Sequence, residues 1–301
     1  MTTPTRNRLI TIVILLFPFI LFTGFLVSEL SGPLPPAPPL PQPNGYDDLV
    51  KAGRMVSSNS WNFEQMTGEQ LRETVAANAA ALSLARAGLS NECGVPLQFS
   101  LAYLNQHLPE LAGFKDLAQA FMAEGRLAEA TGRYDNATRC YLDCMYLGNA
   151  SARGGVLIDA LVGLAIEKMG ATSLQKIAGQ LDAKSCREAA ATLETFDGQR
   201  QSWAGILQQE HAWSRRTFPG IRYRLGELAM FSSVRKARQK AGEKYAEQEK
   251  NTRQLTMDLA ARAYELEKGR RPASTADLVP DYLKAIPQDP FTGTNLVYSP
   301  R

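Results

Sequence analysis

The sequence predicts a mainly α-helical chain. Its expected parts are an N-terminal transmembrane helix, a proline-rich linker, a domain of antiparallel helical hairpins and a small mixed C-terminal cap with a short β-hairpin. Three observations carry that expectation. An uncharged run of 19 residues lies at Leu9–Val27. From Tyr46 onward apolar residues return every three or four positions, the period of one helix face. Pro280, Pro287 and Pro290 then exclude long helix near the end. The 301 residues are 45% hydrophobic, enough for a packed core of one or two domains. Lys and Arg total 33 against 30 Asp and Glu, so composition carries no footprint of nucleic-acid binding.

Leu9–Val27 as a helix spans ~28 Å, close to a bilayer's hydrocarbon core. Arg6 and Arg8 precede it, and no Lys or Arg follows until Lys51. The positive-inside rule therefore makes residues 1–8 a cytoplasmic tail, 9–27 a single-pass anchor in a bacterial inner membrane, and the body extracytoplasmic. A cleaved signal peptide is the competing reading. It has an apolar region of ~7–15 residues and a small-x-small site, neither of which fits this run or the SELSGP that follows. Residues 28–45 form the linker; within it, 33–43 hold seven prolines in eleven positions and favour a stiff polyproline II spacer.

The helical domain is expected over 46–213. Leu71, Val75, Ala79, Leu82, Ala85 and Leu89 line one face of a helix that opens on a capping box of Thr67 and Gln70. After a loop at 91–96, periodicity resumes from Phe99 to Leu108, just before Pro109. Phe121, Gly125, Gly132, Ala137 and Tyr141, with Tyr134 opening the second helix, resemble one tetratricopeptide hairpin over 117–149. Tyr134 and Tyr141 are its candidate binding residues. Residues 154–166 (GGVLIDALVGLAI) are apolar nearly all round and are expected to form the most buried helix of the body. Asp159 is their only charge; a buried carboxylate needs partners, so it is a candidate site residue. Further helices are expected over 174–181, 183–196 and 199–213.

Residues 214–254 form a charged helical segment. Its 215–240 part carries eight Lys and Arg against the single acid Glu227, with Arg215, Arg216, Arg222 and Arg224 as candidate contacts for an anionic surface. Leu255, Leu259, Ala263 and Leu266 make one last helical face, stopped by Gly269 and Pro272. The Ser274–Asp277 stretch begins a short turn of helix, and a hairpin around Thr292, Gly293 and Thr294 is expected to end at Tyr298.

The tail from Ala260 to Pro300 (AARAYELEKGRRPASTADLVPDYLKAIPQDPFTGTNLVYSP) resembles the C-terminal module of pseudopilin-like proteins of type II secretion. There a helix stopped by Gly-Arg-x-Pro leads to Leu-Val-Pro, an Asp-Pro-Phe turn and a terminal strand, which implies such a module at 255–301. The order of anchor, LRETVAANAAALSLARAGL helix, single hairpin, GGVLIDALVG helix and tail is similar to that of uncharacterised bacterial single-pass envelope proteins. That resemblance implies an architecture and no activity.

No GxSxG, GxGxxG, Walker or HExxH motif is present, so the common hydrolase, nucleotide and zincin sites lack their sequence tokens. Cys140 and Cys144 are spaced as Cx3C rather than as a redox CxxC, and pairing among Cys93, Cys140, Cys144 and Cys186 stays open. His107 and His211 read as lone solvated or hydrogen-bonded residues. No catalytic residue, metal or cofactor is assigned. The expectation is a membrane-anchored binding or scaffold protein of the cell envelope, with the bilayer and an envelope protein as partners and no nucleic acid. A pseudopilin-like assembly component and a hydrolase using Asp159 with Glu167 or His211 are the alternatives.

Overall fold

The computed structural model describes residues 39–57, 61–63, 66–100, 102–218 and 231–298, together with Gly24. The described elements run α1 (Gly45–Met55), α2 (Gly68–Leu89), α3 (Tyr103–Ala130), α4 (Tyr134–Ala152), α5 (Leu157–Ile177), α6 (Ala183–Gly198), α7 (Trp203–Thr217) and α8 (Phe231–Lys268). Short 3-10 turns at Ala178–Gln180 and Thr275–Leu278 complete the set. All lie within one unit, Pro38–Arg301.

Helix starts follow local chemistry. Asn44, Asp182 and Ser202 accept hydrogen bonds from the first turns of α1, α6 and α7, and Thr67 with Gln70 closes the expected capping box on α2. From α1 to α5 each helix packs on the next, α1 also reaches α3, α6 packs on α4, α7 touches α5, and α8 lies along α6 and touches α5. One continuous core holds Leu49, Leu82, Phe114, Phe121, Tyr141, Met145, Leu174 and Phe196 and extends to Leu278, Tyr282 and Leu283 of the tail. Two close approaches need glycine. A Cβ on Gly125 would overlap the Tyr141 ring, and Gly148 and Gly163 let the backbones of α4 and α5 touch.

The structure corrects the expected fold at its two ends. No strand forms among the described residues, so the mixed cap with a β-hairpin is replaced by a 3-10 turn and irregular chain. Gln288 and Asn295 make one isolated bridge; Asp289 accepts from Gly293, and Leu296 donates to the Pro287 carbonyl. Pro287 and Pro290 have no N–H to extend that pairing into a ladder. The expected transmembrane helix at 9–27 lies outside the described residues. Among those described, no helix is long and apolar enough to cross a membrane.

Two helix expectations also shift. α3 does not end before Pro109 but runs through it. Tyr103, His107, Leu111, Phe114, Ala118 and Phe121 stay buried on one continuous face while Pro109 is exposed. Burying that stripe outweighs the roughly 3 kcal/mol cost of an interior proline. The apolar stretch around α5 is not uniformly buried either, because Leu157, Ile158, Leu161, Val162 and Leu164 are only half-covered.

Candidate functional site: a polar cleft at one end of the bundle

Three interhelix connections meet at one end of the bundle. They follow α2, α4 and α6, and hydrogen bonds to backbone groups lock them together. Val95 N–H donates to the Arg153 carbonyl at 2.9 Å, and Gly154 N–H to Gln201 Oε1 at 3.1 Å. Asn44, at the start of α1, clamps Gly94 from both sides, donating to its carbonyl and accepting from its N–H. A cleft of about 440 Å³ opens between them, lined by Asn91, Glu92, Tyr146, Asn149, Arg153 and Gln199 among others. Its Arg153 is half-buried, and the guanidinium makes a 3.4 Å contact to the Gln199 carbonyl. Burial pushes the Cys93 thiol in the cleft floor up to about 11, with Arg153 opposing and Glu92 adding to the shift. That thiol is therefore unreactive near neutral pH.

α5 carries two buried polar clusters. At its N-terminus Asp159 accepts from Val156 N–H at 2.7 Å and Glu210 accepts from Leu157 N–H at 2.9 Å, so carboxylates satisfy the free donors where the helix dipole favours them. The second Asp159 oxygen contacts His107 Nε2, while His107 Nδ1 lies 3.1 Å from Glu110. Burial works to lower the His107 pKa, but the hydrogen bond and charge of Asp159, reinforced by Glu110, raise it above the ordinary value. Tyr103 stacks on the imidazole at 4.8 Å and Tyr46 reaches Glu110. Burial, then the Glu110 charge, raises the Tyr46 phenol far above its usual range.

The second cluster sits in the middle of α5. Arg200 grips Glu167 with both terminal nitrogens at 2.8 and 2.5 Å, and Thr252 of α8 donates to the same carboxylate at 2.8 Å. A cavity of about 20 Å³, room for one water, lies between this pair and Asn149 and Arg153 of the cleft. The His107–Asp159 contact resembles the acid–base half of a catalytic triad, but His107 is 2% exposed and Asp159 0%. Both lie in the interior, where their contact ties α3 to the start of α5. Among the described residues no group of three or more His, Cys, Asp or Glu is placed to hold a metal ion.

The sequence-derived candidates fall in different places. Asp159 is fully buried and caps α5, and it does not line the cleft. Tyr141 is fully buried, packed on Gly125 with its hydroxyl on Glu129, and so faces no groove. Tyr134 is half-buried at the start of α4, beside a second, shallower cleft of about 290 Å³ with Arg133 and Asp182. Arg215 and Arg216 end α7, where cations suit the helix dipole, and Arg216 stacks over Phe99 at 4.8 Å. Arg222 and Arg224 lie outside the described residues.

Over the expected hairpin at 117–149 the chain forms two packed helices, α3 and α4, of which α3 begins much earlier, at Tyr103. Arg86 of α2 reaches Glu124 of α3 at 2.5 Å and Asp143 of α4 at 2.7 Å, tying three helices together. Asp159 and Glu167 are two turns apart on α5, about 12 Å along the axis, and each is held by a different partner. Sequence reasoning missed His107 as the partner of Asp159, Arg200 as the partner of Glu167, and the cleft itself. One signal was available: His107 and Glu110 share a helix face at i,i+3. All four cysteines are free and buried. Comparison with family models, with curated proteins and with solved structures finds no match to this chain.

Proposed function

We propose that the chain is a membrane-anchored helical scaffold of the cell envelope that rests a cationic helix end on an anionic membrane surface. The placement at a membrane rests on the uncharged Leu9–Val27 run and on Arg6 and Arg8 before it. The observation that carries the contact is the first part of α8. Arg235, Lys236 and Lys240 are exposed there with no acid before Glu243, whereas α8 is docked from Tyr245 onward, where that ring meets Trp203 at 5.6 Å. Successive residues of a helix turn by about 100°, so these cations point in several directions. They suit adhesion by charge rather than insertion of one apolar face.

Hydrogen–deuterium exchange of the full-length protein reconstituted in vesicles tests the reading. Amides of 232–241 should exchange more slowly in phosphatidylglycerol-containing vesicles than in pure phosphatidylcholine, and high salt should abolish the difference. Equal exchange in both lipids, or the same protection after Arg235, Lys236 and Lys240 are all replaced by Glu, refutes it.

A further inference from the structure

We infer that the cleft between the α2, α4 and α6 connections binds a small zwitterion of amino-acid or dipeptide size, its carboxylate on Arg153 and its ammonium on Glu92. The argument starts from the state of Arg153. Arg86, Arg200 and Arg253 each hold carboxylates within the fold. Arg153 is half-buried as a residue, yet among the described residues it pairs with no carboxylate, and its guanidinium's one hydrogen bond is the long contact to Gln199. A guanidinium has five N–H donors in a fixed fork that matches a carboxylate, so Arg153, which lines the cleft, keeps most of its donor capacity for a ligand.

The remaining lining decides the ligand's charge. Glu92 is exposed at the cleft, and Asn91, Asn149 and Gln199 bring neutral amides that both donate and accept. One cation and one carboxylate leave the cleft with a net charge near zero. A dianion such as phosphate would meet one favourable and one repulsive charge, whereas a zwitterion meets its complement at both ends. The half-buried Tyr146 offers an apolar surface for a small side chain. A volume of about 440 Å³ lies in the range of small-molecule sites and suits a ligand of this size. The loops that form the cleft are cross-tied by the Val95–Arg153, Gly154–Gln201 and Asn44–Gly94 hydrogen bonds, so the site is formed before ligand arrives.

The test is isothermal titration of the full-length, detergent-solubilised protein with glycine, L-glutamine, dialanine and inorganic phosphate. Saturable binding of a zwitterion is expected; whether free amino acids or dialanine bind more tightly tells which charge spacing the cleft takes. N-acetylation or C-amidation of the bound probe should each weaken binding on the order of ten-fold or more, because each leaves a charged partner unanswered. Arg153→Gln should do the same for the unmodified probe, with far-ultraviolet circular dichroism confirming its fold. If that variant does not fold, the acetylated and amidated probes decide the matter on the unaltered protein. Absence of saturable binding by every zwitterion, equal binding of blocked and free probes, or tighter binding of phosphate overturns the inference.

Discussion

Replacing Glu167 with Leu removes the counter-charge from a guanidinium whose side chain is 7% exposed. In the native protein Arg200 makes two short bonds to Glu167, while its nearest other carboxylate, Asp197, stands 3.7 Å from Nε. The variant leaves Arg200 buried with the Phe196 and Tyr245 rings but no carboxylate closer than Asp197, and Gln248 Nε2 loses its acceptor at 3.4 Å. Breaking one side of such a pair costs about 3–5 kcal/mol, a large part of the roughly 5–15 kcal/mol that holds a domain folded. For a domain of this size the melting temperature should fall by about 10 °C. Replacing both partners, Glu167→Leu with Arg200→Met, removes the buried charge altogether and should recover most of the loss. Thr252 still has the Gln248 carbonyl at 3.0 Å in that double variant. Urea unfolding of the four proteins in the cycle measures the coupling. A single-variant cost under ~1 kcal/mol, or a double variant as damaged as the sum of the singles, would show that the pair is solvated rather than buried.

Three other outcomes follow from the same geometry. His107 has a folded-state pKa raised above 6.5, so the stability it contributes is complete below about pH 6.5 and is lost as pH rises through the raised value. Urea midpoints should decline on the alkaline side of that range, and His107→Gln should flatten the decline; an unchanged slope would place the pH dependence elsewhere. Tyr141→Ala should cost about 3–5 kcal/mol in thermal unfolding because it empties the space beside Gly125, whereas Tyr134→Ala, half-buried at a cleft rim, should cost about 1 kcal/mol. Maleimide should modify none of the four cysteines in the native protein and all four in urea, since each is buried and burial is the leading cause of the raised Cys93, Cys140, Cys144 and Cys186 pKa values.

The legible parts of the fold were those written in local chemistry. Thr67 and Gln70 announce the start of α2, Gly132 the turn of the α3–α4 hairpin, and Gly269 with Pro272 the end of α8. Pro109 misled because its local cost is visible in sequence while the buried stripe on both sides of it, from Tyr103 to Phe121, acts only once α3 has neighbours. The tail misled in the opposite sense. Extended residues around Thr292–Thr294 suggested two strands, but Pro287 and Pro290 remove the donors a ladder needs, and the chain is held instead by side chains such as Lys250 on Asp289 at 2.7 Å.

For the site, the sequence marked Asp159 as a carboxylate that must find a partner but not which one, because His107 is 52 residues away and on another helix. Periodicity, caps and breakers alone settle that the body is helical, roughly where its helices begin, and which faces are apolar, since these depend on residues within one or two turns of each other. Tertiary packing alone decides that Tyr141 is core rather than groove, that Glu167 belongs to Arg200, and that three loops distant in sequence enclose the cleft of Arg153 and Glu92. Each of those depends on which helix meets which. That is set by the close contact of small residues such as Gly148 and Gly163 and by buried charges finding counter-charges, and neither has a fixed spacing along the chain.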